Sequence, residues 1–270
     1  LREIPQPPTT LNYRGKLPAA DLTLLSIVGS RKYTTYGKQA IDELVGGLRN
    51  YPIGIVSGLA LGIDSLAHEA ALENNLYTLA IPGSGLSDDV IYPATHKRLA
   101  HRILEAGGGL LSEFEPDFRA TNWSFPQRNR LVAGISRATL LIEAAPLSGT
   151  LITARLTTDY NRDLLVVPGS IFSENSTGVH QFLKLGAIPV TSSDDILEAL
   201  HLEKDDRPLQ ANLSLSPTEM QIFELLTEPI HRDELIRKLT LPTHEVAQIL
   251  MMMELQGHIT AMQNIYRRKL

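Results

Sequence analysis

The 270 residues carry 43% hydrophobic and 20% charged side chains with a formal net charge of −5, which excludes a disordered chain and leaves room for one large domain and a small one. Cysteine is absent, so disulfides and thiolate metal sites are excluded, and no apolar run reaches the ~18 residues of a membrane span. Net acidity argues against a general polyanion binder, so any nucleic-acid contact must be a local patch, and a reducing cytoplasm is the expected setting.

In chain order, "LTLLSIVGSR" (22–31) reads as a buried strand ending in a tight turn, and "YGKQAIDELVGGL" (36–48) as a helix with Ile41, Leu44, Val45 and Leu48 on one face. "PIGIVSGLALGIDSLAHEAAL" (52–72) repeats the unit, and "YTLAIPGSG" (77–85) supplies a third strand. "HKRLAHRILEAGG" (96–108) is a helix closed by glycine, its basic residues set against Leu99, Ile103 and Leu104. Strands follow at 109–114, 137–145 and 162–170, with "SGTLITARLTTDYN" (148–161) as the helix between the last two. Strands without alternation, each followed by glycine and then a helix, describe a parallel sheet covered on both faces. Ligands of such sheets bind beyond the carboxyl ends of the strands. Gly29-Ser30-Arg31, Ser57-Gly58, Pro82-Gly83-Ser84-Gly85 and Ser148-Gly149-Thr150 are expected to converge there.

Polar "HLEKDDRPLQANLS" (201–214) reads as a linker, placing a large domain over 1–202, the linker over 203–212 and a small domain over 213–270. The small domain opens on a capping box, Ser216 with Glu219, and Pro217 in the first helical position. Two more short helices and a closing hairpin predict a winged helix. Six Lys and Arg against seven Asp and Glu over 213–270 make it a poor groove binder, and a protein-contact or regulatory role is favoured. Met251–Met253 is read as core ahead of contact surface.

The common enzyme fingerprints are absent: Asp88 replaces the third glycine of a dinucleotide loop, and neither a P-loop nor a nucleophile elbow is found. Asp64 and His68, four apart on a helix, are read as capping or packing residues ahead of a metal pair. More informative is "FPQRNRLVAG" (125–134), where Arg128 and Arg130 flank Asn129. Phe125 could stack a base and the arginines could grip phosphate in two-pronged fashion. Arg31, near the start of a helix, suits a phosphate oxygen as well; Ser57-Gly58 and Ser148-Gly149-Thr150 are candidate anion cradles. The competing readings are that Arg31 pairs with Asp64 or Glu113, and that Phe125 is core.

"IVGSR", "VSGLALGIDSLAHEAAL", "GSGLSDDVIYP", "SEFEP", "FPQRNRLVAGIS", "IEAAPLSGTLITA", "VVPGS" and "GAIPV", in this order between Pro5 and Leu200, resemble the DNA-processing protein A (DprA, or Smf) family. The resemblance implies an extended Rossmann-like sheet with a C-terminal winged helix, single-stranded DNA binding, homodimers, protection of incoming single strands and delivery of a RecA-type recombinase onto them in natural transformation, without known catalysis or a cofactor. It implies a DNA pocket of Gly29, Ser30, Arg31, Phe125, Arg128, Asn129 and Arg130. Gln127 and His96 depart from the lysine and asparagine that members often carry at those positions. A phosphoribohydrolase-like nucleotide enzyme and a duplex-reading regulator are the alternatives. Whether a segment precedes Leu1 is left open.

Overall fold

A computed structural model of the chain describes residues 1–203, 216–239, 241–256, 258–262 and 264–268. Its residues fall into two compact units, Leu1–Lys204 and Asp205–Leu270. Apart from Glu203, the linker expected at 203–212 lies outside the described residues.

The large unit is built as β1 (Asn12–Gly15), β2 (Thr23–Val28), α1 (Thr35–Gly46), β3 (Ile53–Ser57), α2 (Ile63–Glu73), β4 (Tyr77–Ala80), α3 (Lys97–Glu105) and β5 (Gly109–Ser112). It continues as α4 (Ser124–Ile135), β6 (Ala138–Leu141), α5 (Thr150–Asp159), β7 (Asp163–Val166), α6 (Thr177–Lys184), β8 (Ile188–Pro189) and α7 (Ser193–Ala199). The sheet order is β1-β5-β4-β3-β2-β6-β7-β8. Every pairing from β5 through β8 is parallel. The one departure from the expected parallel sheet is β1, which runs antiparallel along β5, Tyr13 opposite Leu111. This is a Rossmann-like sheet with apolar clusters on both faces, one around Leu25, Ile55 and Leu140, the other around Val56, Leu79 and Leu141. Successive residues of a strand point to opposite faces, which is why Ile55 and Val56 join different clusters. Double burial also explains the unbroken apolar runs in the sequence.

From β2 the chain works outward one way through β3, β4 and β5, and later the other way through β6, β7 and β8. The order therefore reverses between β2 and β6, where open sheets of this kind place their ligand crevice.

The small unit comprises α8 (Pro217–Leu225), β9 (Ile230–His231), α9 (Arg232–Lys238), α10 (Thr243–Leu255), β10 (Ile259–Met262) and β11 (Ile265–Arg268), with strand order β10-β11-β9. Three helices and a three-stranded sheet in this order form a winged helix. The capping box is present: Ser216 N–H donates to Glu219 Oε2 at 2.7 Å, and Glu219 N–H to Ser216 Oγ at 3.4 Å. The reading of Met251–Met253 as core holds for one residue of the three. Met253 is buried, while Met251 and Met252 are 63% and 47% exposed, because three consecutive residues of a helix span about 200° of its circumference and cannot share one face.

Candidate nucleic-acid interface

The segment holding Arg128 and Arg130 lies in α4, a helix that periodicity in the sequence does not predict. Ser124 starts it: its Oγ donates to Gly83 O at 2.6 Å and accepts from Thr121 N–H at 3.0 Å, tying α4 to the loop after β4. Pro126 falls in the first turn, where its missing N–H costs no helical hydrogen bond. Residues two apart on a helix are rotated by about 200°, so Arg128 and Arg130 leave opposite sides of α4 and cannot grip one phosphate between them.

Both turn inward, which corrects the two-pronged reading. Arg128 is 4% exposed, and its Nη1 donates to the carbonyls of Gly58 and Ile81, which follow the carboxyl ends of β3 and β4. Its Nε donates to Asn129 Oδ1 at 3.1 Å. Arg130 Nη2 pairs with Glu113 Oε1, and Gln127 Nε2 donates to Glu113 Oε2 at 3.0 Å. Arg130 Nη1 is buried without a hydrogen-bond partner. The carboxylates proposed as alternatives for Arg31 are thus used, but by the other two arginines: Asp64 is the charge facing Arg128 and Glu113 the partner of Arg130.

Burial lowers the Arg128 pKa to about 10; Asp64 raises it and nearby Arg31 lowers it. Burial also pushes the Asp64 carboxyl up, against the opposing pull of Arg128 and of the Ala60 and Gly58 amides. Gly58 has no room for a side chain, because a Cβ there would sit 2.6 Å from Asp64 Oδ2 and 2.7 Å from Arg128 Nη1.

Arg31 differs from both. It is exposed, and among the described residues no carboxylate lies within ion-pair distance. Its guanidinium carbon stands 5.6 Å from the centroid of the half-buried Phe125 ring. Phe125 in turn meets Tyr92 at 5.3 Å between centroids, tilted by 48°. The ring lies so close to the loop after β4 that a Cβ on Gly83 would come within 2.6 Å of its Cδ1. Arg31, Phe125 and Tyr92 thus form one layer at the carboxyl edge of the sheet. Tyr92 and Trp123, 48% and 56% exposed, were missed in the sequence; Trp123 stands edge-on to Phe114 and Phe118.

The expected cradles are occupied by the protein itself. Ser57 Oγ donates to Ile27 O at 2.7 Å, and Gly58 N–H donates to Asp64 Oδ2 at 3.0 Å. Ser30 Oγ bonds the backbone of Lys32, and Thr150 Oγ1 donates to Gly29 O at 2.8 Å. Ser148 Oγ accepts from Thr150 N–H at 3.3 Å, leaving exposed Gly149 as the open part of that turn. At the α1 start, where a phosphate oxygen was expected, Glu143 accepts from Thr34 N–H at 2.9 Å and Thr34 Oγ1 at 2.5 Å. A carboxylate near a helix start serves the same orphan amides and dipole as a phosphate would.

Asp64 and His68 have structural partners, as the packing reading holds. His68 is fully buried, its Nδ1 2.7 Å from Thr78 Oγ1. Burial first, then the neighbouring His96, lowers its pKa to about 3. An unfolded histidine titrates near 6.5, so as pH falls below that value the unfolded chain takes up a proton that the folded chain refuses. The stability held above pH 6.5 then declines toward pH 3, by about 2 kcal/mol at pH 5. The raised Asp64 works in the opposite sense, so the comparison of variants isolates His68. Urea midpoints at about pH 7.5 and pH 5 should converge in His68→Gln relative to wild type; an unchanged gap would show that His68 is protonated inside the fold.

The profile of the DNA recombination-mediator protein A family matches residues 1–201, and that of the DprA winged helix domain matches 206–263. Protein Smf of Escherichia coli is 37% identical over 270 residues, which is 97% of this chain and 72% of the relative. DNA processing protein DprA of Streptococcus pneumoniae is 40% identical over 199 residues, 73% of this chain and 68% of the relative. The S. pneumoniae DprA X-ray structure superposes with a TM-score of 0.69 at 38% identity, covering 75% of this chain and 70% of that one. A Helicobacter pylori DprA structure, described for its single-stranded DNA binding mode, gives 0.66 at 32% identity, covering 74% and 90%. An eight-stranded sheet and a winged helix, matched over nearly the whole length, place this chain in the DNA recombination-mediator protein A family.

Proposed function

We propose that the chain binds single-stranded DNA at the layer formed by Arg31, Phe125 and Tyr92, without catalysis. The observation that carries this reading is Arg31: an exposed guanidinium with no carboxylate partner among the described residues, laid over an aromatic ring in a chain of net charge −5. Arg31 offers a phosphate contact, and the rings offer faces on which an unpaired base can stack, whereas paired bases in a duplex keep their faces covered. The binding mode described for the H. pylori relative supports the same choice. Gly29, Ser30 and Asn129 shape the rim. Arg128 and Arg130 are positioning residues, holding α4 and with it Phe125 in place. Glu143, seated at the strand-order reversal, argues against a nucleotide-processing enzyme that would need that seat for its substrate.

Homodimerisation, and the handing of the bound strand to a RecA-type recombinase during transformation in the cytoplasm, complete the reading by family membership. Among the described residues no helix is long and apolar enough to cross a membrane. The exposed residues of α10 include His244, Glu245 and Gln248 alongside Met251 and Met252, a surface better suited to a protein than to a phosphate backbone.

The test is a salt-varied titration with single-stranded against double-stranded oligonucleotide. Preference for the single strand is expected, with a log–log salt slope of about −2 to −4, corresponding to three to five phosphate contacts at about 0.7 each. Preference for duplex would overturn the reading in favour of a regulator acting through the winged helix.

A further inference from the structure

The outer face of α3 carries Lys97, Arg98, His101 and Arg102, with Glu105 as its acidic member, while Leu99, Ala100 and Ile103 face the core. This placement does not stabilise the helix. Lys97 and Arg98 lie in the first turn, where the helix dipole disfavours cations and the helix itself supplies no acidic residue. Arg98 and Arg102 are like charges four apart, a repulsive pair on a helix; only Arg102, in the last turn, gains from the dipole. Two exposed helix lysines elsewhere are neutralised at this same spacing, Lys38 by Asp42 at 4.0 Å and Lys238 by Glu234 at 3.0 Å. Among the described residues neither Arg98 nor Arg102 has a carboxylate partner.

One carboxylate organises the inner border of this face. Asp88 accepts from Arg14 at 2.7 Å, with His101 at 3.0 Å and Lys97 at 4.0 Å. Arg14 belongs to β1, and the Lys16 ammonium lies beside Gly107, just past the end of α3. Cations therefore line α3 from its first turn to beyond its last. The helix starts at the proposed pocket: Tyr92, the ring against Phe125, leads through Pro93 and a single turn at Ala94–His96 into Lys97. Because α3 connects β4 to the parallel β5, it runs from the carboxyl edge of the sheet back toward the amino edge, about 14 Å for its nine residues.

We infer that this face is a second stretch of the DNA path, a track of phosphate contacts at Arg98 and Arg102 that holds the single strand after it leaves the Phe125 pocket. The inference rests on that pocket being the DNA site. The track supplies charge without exposed rings, so it follows the backbone and is indifferent to base identity.

Its test compares a short oligothymidylate of about six nucleotides, filling the pocket only, with a long one of about twenty. Anisotropy titrations across a salt series are run on wild type, on Arg98→Gln/Arg102→Gln, and on Arg155→Gln/Lys184→Gln, which removes the same charge from exposed positions on α5 and α6. The track variant should bind the short strand as wild type does. It should lose several-fold in affinity for the long one, with a salt slope shallower by about 1.4, or 0.7 for each contact. The control pair should bind both lengths as wild type does. Unchanged long-strand binding by the track variant, equal losses at both lengths, or the same loss in the control pair would each overturn the track and leave the pocket standing. A wild type that binds neither length removes the pocket, and the track falls with it.

Discussion

Arg31→Ala should weaken capture of a short oligothymidylate by about ten- to a hundredfold, the effect of removing a charged hydrogen-bonding group worth about 1.5–3 kcal/mol. Its thermal midpoint should stay within about 2 °C of wild type, since exposed substitutions away from a network cost about 0.5 kcal/mol or less. The separation of the two effects follows from the environment of Arg31. Its side chain is exposed, it has no ion-pair partner among the described residues, and its contact is with a ring already held by Gly83 and Tyr92. Isothermal titration on a variant shown to be folded by circular dichroism is the measurement. Wild-type affinity in that variant would remove Arg31, and the layer built around it, from the DNA site.

Arg128→Ala is expected to do the reverse. Removing a buried guanidinium leaves the Gly58 and Ile81 carbonyls without their donor and Asp64 buried without its counter-charge. Leaving a buried carboxylate and two buried carbonyls uncompensated costs about 3–5 kcal/mol, a large part of the stability of an ordinary domain. Replacing Asp64 as well removes the stranded carboxylate but leaves the two carbonyls and the Gly58 N–H unpaired, so Arg128→Met combined with Asp64→Leu should recover only part of the loss. Urea midpoints of the two single variants and the double variant form the cycle. If Arg128→Ala unfolds at the wild-type midpoint yet no longer binds DNA, its guanidinium is a ligand group and not an internal tie.

The contrast between these arginines shows where the sequence was legible. Apolar runs punctuated by glycine predicted strands at β2 through β7, and periodicity predicted α1, α2, α3 and α5, since burial on both faces and helical spacing leave direct traces in residue order. β1 and the two-residue β8 lie at the sheet edges and carry no such run; α4, α6 and α7 escaped assignment. Missing α4 mattered most. Read as a string, Arg128 and Arg130 look like neighbours with a common purpose; wound into a helix, they part. Convergence of the strand ends was legible, and Gly58, Gly83 and Arg31 do meet near α4. Which polar groups would be used internally was not, because that depends on partners distant in sequence: Glu113 for Arg130, Glu143 for Thr34, Ile27 for Ser57. Tyr92 escaped for the same reason, its role resting on a ring 33 positions along the chain.

Glu143 has a wider consequence. Cells are full of free ATP and related metabolites, and a Rossmann-like crevice ordinarily welcomes them. Here Glu143 already occupies the start of α1, so a small phosphorylated molecule would have to displace that carboxylate to bind there. The proposed DNA site is accordingly expected to keep its affinity for a single strand in the presence of free ATP.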